Sequence, residues 1–190
     1  AEQLRLDTET TKTYQSPAGD PQFDEAVAGL LLGDTLTNCR VASVQVPGGT
    51  GGLRVAAGLI RRCNSEATIW LSKPTWANHA PVFTSAGLAV AEYPYYSSQL
   101  RGVDFEAMAD ALGKLGSNDV VVLHGCCHNP TGADLTEQQW QVVADIAVER
   151  GFTPLIDFAY QGFGRGLDAD AYGVRLLAQH IFELNIDCRS

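Results

Sequence analysis

Two runs decide the reading: Asp119-Val120-Val121-Val122-Leu123 and, further on, Thr153-Pro154-Leu155-Ile156-Asp157-Phe158. The first is apolar without alternation, the pattern of a strand covered on both faces. Between the two, Thr136-Glu137-Gln138-Gln139 has the spacing of a capping box and opens a helix to Arg150. Strand, helix, strand predicts a parallel pair joined by a crossover. The alternation extends in both directions. Upstream, the pattern predicts a helix from Phe23 through Leu30, a strand over Val41–Val46, a glycine-rich turn over Gly48–Gly52 and a helix over Leu53–Arg62. Then come a strand at Thr68–Leu71, a helix at Ala77–Ala86, a strand at Leu88–Tyr93 and a helix at Asp104–Leu115. Downstream, a last helix spans about Asp168 to Gln179. Short strands alternating with helices predict an α/β fold: a three-layer, doubly wound, mostly parallel sheet. Residues 1–22 are polar, carry Pro17, Gly19 and Pro21, and read as an N-terminal arm or linker.

Composition narrows the function classes. The chain has 190 residues, 45% of them hydrophobic, enough for the core of one ordinary domain. Thirteen basic against 22 acidic side chains give a net charge of -9. That balance argues against nucleic acid as a partner, which calls for a basic face. No apolar run approaches the ~20 residues of a membrane span, and the first residues carry no export pattern. Cys39, Cys63, Cys126, Cys127 and Cys188 form no disulfide framework, which points to a cytoplasmic setting.

In a doubly wound sheet, ligands bind at the carboxyl ends of the strands. Four connections bring chemistry there. Pro47-Gly48-Gly49-Thr50-Gly51-Gly52 offers close backbone N–H groups before a helix, suited to a phosphate, with the Thr50 hydroxyl as a further donor. It matches neither the dinucleotide fingerprint nor a P-loop, so a nucleotide-binding domain ranks last. Lys73-Pro74-Thr75-Trp76-Ala77-Asn78-His79 carries a Trp that either packs in the core or stacks on a flat ligand. His124-Gly125-Cys126-Cys127-His128-Asn129-Pro130-Thr131-Gly132 holds two His and two Cys, but adjacent cysteines do not fit zinc-motif spacing, and no metal is expected. Asp157-Phe158-Ala159-Tyr160-Gln161-Gly162-Phe163 ends an apolar strand on a carboxylate that needs a compensating partner.

Taken in order, these motifs, with Thr11-Lys12-Thr13-Tyr14 and Ala18-Gly19-Asp20-Pro21 before them, resemble the class I aspartate/aromatic amino acid aminotransferases. These are fold-type I pyridoxal phosphate enzymes. The resemblance runs from about Thr11 to His180. It implies that pyridoxal 5'-phosphate is the cofactor, an amino acid and a 2-oxo acid are the substrates, and the parent enzyme is a homodimer. By the same resemblance Asp157 pairs with the protonated pyridine nitrogen, and His79 supports Asp157 from behind. Trp76 stacks on the cofactor, and Asn129 and Tyr160 donate to its phenolic oxygen. Gly49 and Thr50 contact its phosphate, and Tyr14 reaches the phosphate of the other subunit. Lys73-Pro74 and Asn129-Pro130 would be cis peptides. Gly48 stands where many relatives carry Ser.

The family's Schiff-base lysine has no match, because Lys12, Lys73 and Lys114 all precede Asp157. The resemblance therefore implies a truncated and inactive aminotransferase fragment. Its domains would be the arm at 1–22, a partial pyridoxal phosphate-binding large domain at 23–180, and a divergent tail at 181–190. A sheet stopped early would expose an edge, and poor solubility is expected. Another fold-type I activity, such as a lyase, and a non-catalytic phosphate- or pyridoxal-binding module are the alternatives.

Overall fold

The computed structural model describes residues 14, 16–38 and 41–181. The Thr11-Lys12-Thr13 stretch, Cys39, Cys188 and most of the divergent tail lie outside the described residues. The chain runs through α1 (Pro21–Leu32), a 3₁₀ helix (Gly33–Asn38), α2 (Gly48–Cys63), β1 (Thr68–Lys73), α3 (His79–Ser85) and β2 (Ala89–Pro94). A short pair, β3 (Tyr96–Ser97) and β4 (Gly102–Val103), leads to α4 (Phe105–Leu112) and β5 (Asp119–His124). α5 (Glu137–Arg150), β6 (Thr153–Asp157), α6 (Leu167–Asp170) and α7 (Tyr172–Ile181) follow.

Among the described residues, four strands form one sheet in the order β2-β1-β5-β6, with every neighbouring pair parallel. The unbroken apolar run of β5 is explained by its position. Val120 and Val122 enter one core with Leu53 and Ala57 of α2 and Phe83 of α3. Val121 and Leu123 enter the other with Met108 of α4, Val143 of α5 and Leu177 of α7. Two helical layers sandwich the sheet, the three-layer doubly wound arrangement expected from the sequence. The Thr136–Gln139 capping box forms in both directions, and α5 ends on Gly151 at φ 74°. Lys73-Pro74 and Asn129-Pro130 are both cis.

Four expectations are corrected. Residues 41–46 form no strand; they are largely exposed, and a β pattern without a neighbouring ladder stays irregular. Gly48–Gly52 is not a turn but the opening of α2. Glycine disfavours a helix interior, yet here the tail of the helix is anchored through Leu53 and Ala57 in the core. The single last helix is two, α6 and α7, divided at Ala171. The first helix also begins at Pro21, within the expected arm, because Asp20 caps it by accepting from the Gln22 amide at 2.8 Å and proline suits a first helical turn.

Gly173 of α7 sits directly under the buried Trp140 ring of α5, where an added Cβ would collide with the indole. A buried ring among close-packed neighbours has little room to yield. We expect Gly173→Ala to lower stability by about 1–3 kcal/mol despite alanine's better helix propensity. Urea unfolding midpoints measure this, and an unchanged midpoint would refute the tight α5–α7 contact.

Candidate active site

From the β1–β5 seam the chain leaves in opposite directions, to β2 on one side and β6 on the other. The loops that follow these two strands therefore part, and a crevice opens at their carboxyl ends. It is a cleft of about 280 Å³. Gly49, Thr50, Trp76, Asn129, Asp157 and Tyr160, six residues singled out in the sequence, all line it. Leu53, His124, Cys126 and Ala159 complete the wall. Tyr14 is fully exposed and lines no part of it. His79 lies behind the wall, with a side chain 0% exposed.

Asp157 ends β6 with its side chain 20% exposed. His79 Nε2 donates to Asp157 Oδ2 at 3.0 Å, since an ionised carboxylate can only accept. This hydrogen bond outweighs the cost of partial burial and holds the Asp157 carboxyl below the usual carboxylate range. His79 Nδ1 lies 2.7 Å from Thr75 Oγ1, which lies 3.2 Å from His124 Nε2. One pattern satisfies all three contacts: His124 donates to Thr75, Thr75 donates to His79, and His79 donates to Asp157. The carboxylate is thus the end of a hydrogen-bonded row that crosses the seam.

Burial, together with the neighbouring His128 and His79, pushes His124 down to about 3, against the opposing pull of Asp157. Burial likewise pushes His128 down to about 4, against the attraction of Asp134. Burial first, then the adjacent Cys127, pushes the Cys126 thiol up to about 12, so it stays protonated and unreactive at neutral pH. Beyond Tyr160 the loop is held by Asp170. Its carboxylate accepts from the amides of Gly162 at 2.8 Å, Gly164 at 3.0 Å and Arg165 at 2.7 Å. Burial raises this carboxyl, but the three amides outweigh it and hold it low.

On the opposite wall, α2 begins without a side-chain cap and without an acidic residue in its first turn. Its first amides therefore have no partner within the helix, and the positive end of the helix faces the cleft through Gly49 and Thr50. A Cβ built on Gly49 would meet nothing within 4 Å. His124, Cys126, Leu53 and Ala159 line the cleft without a role expected from the sequence. His124 and Cys126 stood in a quoted motif, and the position of His124 at the last residue of a strand was the available signal.

Fold and cleft together define an α/β protein whose seam brings an uncapped helix start, an indole and a fixed carboxylate into one cleft. The family model described as aminotransferase class I and II matches residues 1–186, and the chain belongs to that family. It is 49% identical over 186 residues to the aromatic-amino-acid aminotransferase of Paracoccus denitrificans, covering 98% of this chain and 47% of the relative. It is 48% identical over 181 residues to the aspartate aminotransferase of Escherichia coli K12, covering 94% and 46%. A solved aromatic amino acid aminotransferase with 3-indolepropionic acid superposes with a TM-score of 0.91 at 49% identity, over 95% of this chain and 46% of that one. An aromatic-amino-acid aminotransferase from Burkholderia pseudomallei, covalently bound to pyridoxal phosphate, gives 0.89 at 41% identity, over 94% and 45%. The chain spans about half the length of the curated relatives it matches.

The low histidine values set a direction for acid stability. A histidine kept neutral in the fold, with a pKa near 6.5 when unfolded, stabilises fully above that pH. That stability is lost as pH falls from 6.5 through about 4 for His128 and about 3 for His124. The lowered carboxylates of Asp157 and Asp170 act in a separate window, below the ordinary carboxylate pKa. We expect thermal midpoints to drop already between pH 6.5 and 4, with a shallower drop in His124→Gln. A flat profile down to pH 4 would contradict the burial of these rings.

Proposed function

We propose that this chain forms the pyridoxal 5'-phosphate-binding part of an aminotransferase that moves an amino group from aspartate or an aromatic amino acid to a 2-oxo acid. The observation that carries the reading is the His79-supported carboxylate of Asp157 in the same cleft as Trp76 and the uncapped start of α2. The donor set suits that cofactor in each part. An anionic group fits the first amides of α2 and the Thr50 hydroxyl. An aromatic ring fits against the Trp76 indole. A protonated ring nitrogen fits a carboxylate kept ionised, and a phenolic oxygen fits the donors of Asn129 and Tyr160.

When bound, pyridoxal phosphate supplies an electron sink for the α-carbon of the amino acid. The residues of this chain orient and tune it. Asp157 would hold the proton on the ring nitrogen, and the buried His79 keeps Asp157 charged and aimed. Asn129 and Tyr160 would stabilise negative charge on the phenolic oxygen. Trp76 would cover the ring and exclude water from it. Among the described residues no lysine lines the cleft, so these residues bind and tune rather than supply the amine that anchors the cofactor. On this reading residues 23–180 are a partial cofactor-binding domain, preceded by an arm at 1–22 and followed by a tail at 181–190, and the chain alone does not turn over.

The same reading makes the parent a homodimer. The full exposure of Tyr14 in the arm, and the exposure of Phe23, Val27 and Leu30 on α1 beside it, suit a surface that docks on a second copy. A cytoplasmic setting suits the free thiols of Cys63, Cys126 and Cys127. Among the described residues no helix is long and apolar enough to cross a membrane.

We expect the chain to bind pyridoxal 5'-phosphate saturably. Asp157→Asn should weaken that binding by about 10–100-fold, the size of a lost charge-assisted interaction, and leave inorganic phosphate affinity unchanged. Thr50→Val should weaken both ligands. Absorbance titration and calorimetry read these effects. Equal affinity of Asp157→Asn and the unaltered chain for the cofactor would overturn the reading.

A further inference from the structure

His128 lines no part of the cleft, yet it is only 2% exposed and uses every polar atom it has. Its amide donates to Asp134 Oδ1 at 2.8 Å, beside the Cys127 amide, which donates to Oδ2 at 2.8 Å. Its Nε2 lies 3.0 Å from Ser72 Oγ on β1, and its Nδ1 lies 2.8 Å from Thr131 Oγ1 beyond β5. Ser72 Oγ donates its one hydrogen to the carbonyl of Pro74 at 2.9 Å. With that hydrogen committed, Nε2 is the protonated nitrogen and donates to Ser72, while Nδ1 accepts from Thr131. The ring is stacked on Tyr95, with centroids 4.2 Å apart and planes 15° apart, and touches His124 at 4.1 Å. Tyr95 in turn donates to the carbonyl of Ala133 at 2.6 Å.

These contacts fall on two connections. Ser72 and Pro74 lead directly into Trp76. Thr131 and His128 itself flank Asn129. Both Trp76 and Asn129 line the cleft, and they come from strands whose onward paths diverge. No backbone ladder joins the two connections past the strand ends, because β1 and β5 pair only over Thr68–Trp70 with Asp119–Val121. Beyond that register the spacing of the two walls depends on side chains.

We propose that His128 is a positioning residue that fixes the spacing between the Trp76 indole and the Asn129 amide, and through it the fit of the cofactor ring. The role rests on the reading of the cleft as a pyridoxal phosphate site. It separates two parts of one ligand: the phosphate end depends on α2, and the ring end depends on His128.

The test uses the 190-residue chain with pyridoxal 5'-phosphate and inorganic phosphate as probes. Thr131→Val removes the Nδ1 partner, and His128→Gln shortens the bridge. We expect each to weaken pyridoxal 5'-phosphate about tenfold, the size of one buried hydrogen bond, with phosphate affinity unchanged. The double variant should be weakened less than the product of the singles, because one bridge is broken twice. Unchanged cofactor affinity in both single variants overturns the proposal. So does equal loss of both ligands with a lowered melting temperature, which marks a general structural role. Asp157→Asn separates the premises. If it loses the cofactor while the His128 variants do not, only the positioning role fails. If it binds as tightly as the unaltered chain, the cleft reading fails and takes the positioning role with it.

Discussion

The site rests on keeping one carboxylate charged at the end of β6, a half-buried strand at the edge of the sheet. Asp157 loses part of its hydration where β6 ends, and a bare charge there would be costly. The single contact from His79 offsets that cost, and it comes from α3, on the far side of the seam from β6. The hydrogen bond is therefore also a tie across the fold. It requires β1, α3 and β6 to be in register at the same time. Thr75 and His124 extend the tie to β5, so three of the four strands meet in one row of polar atoms.

Much of this was legible in the sequence. The apolar run of β5 and the capping box before α5 specified a crossover from a covered strand to its parallel neighbour, because both signals are local and strong. The chemistry was legible where a residue type contradicts its surroundings, as with Asp157 after Leu155-Ile156. Clustering of Trp76, Asn129 and Asp157 followed from the rule that loops gather at strand ends, whereas Gly49 joins them from the start of α2, with no strand before it. What was not legible depends on partners distant in the chain. Val41–Val46 has a β pattern, but a strand exists only if a neighbour pairs with it, and composition does not reveal the neighbour. Gly48–Gly52 reads as a turn by propensity, and the buried face of Leu53 and Ala57 overrides that. His124 and His128 drew attention as metal ligands that the spacing then disfavoured. Their partners Thr75, Ser72 and Thr131 are small hydroxyl residues with no sequence signature of their own.

The two walls of the cleft are built by different means. The α2 wall is backbone: amides, a helix end and glycine at position 49 with open space before it. The opposing wall is side chain, held by paired imidazoles, hydroxyls and carboxylates, with Asp170 fastening the loop past Tyr160. A backbone wall recognises charge with little demand on residue identity. A side-chain wall demands particular residues at particular places, and it is where the motifs of the family concentrate.

The strand order has a kinetic side. The cleft residues are drawn from positions 49 to 160, and the central β1–β5 pairing closes a loop of about fifty residues before any wall exists. Pairings so far apart in the chain form late, because loop entropy is spent before contacts return it. The binding surface therefore exists only when these distant segments are brought together, and opening the β1–β5 seam would separate its walls. A molecule that occupies it recognises only the fully assembled chain, and so acts as a pharmacological chaperone, drawing population out of half-formed states by mass action.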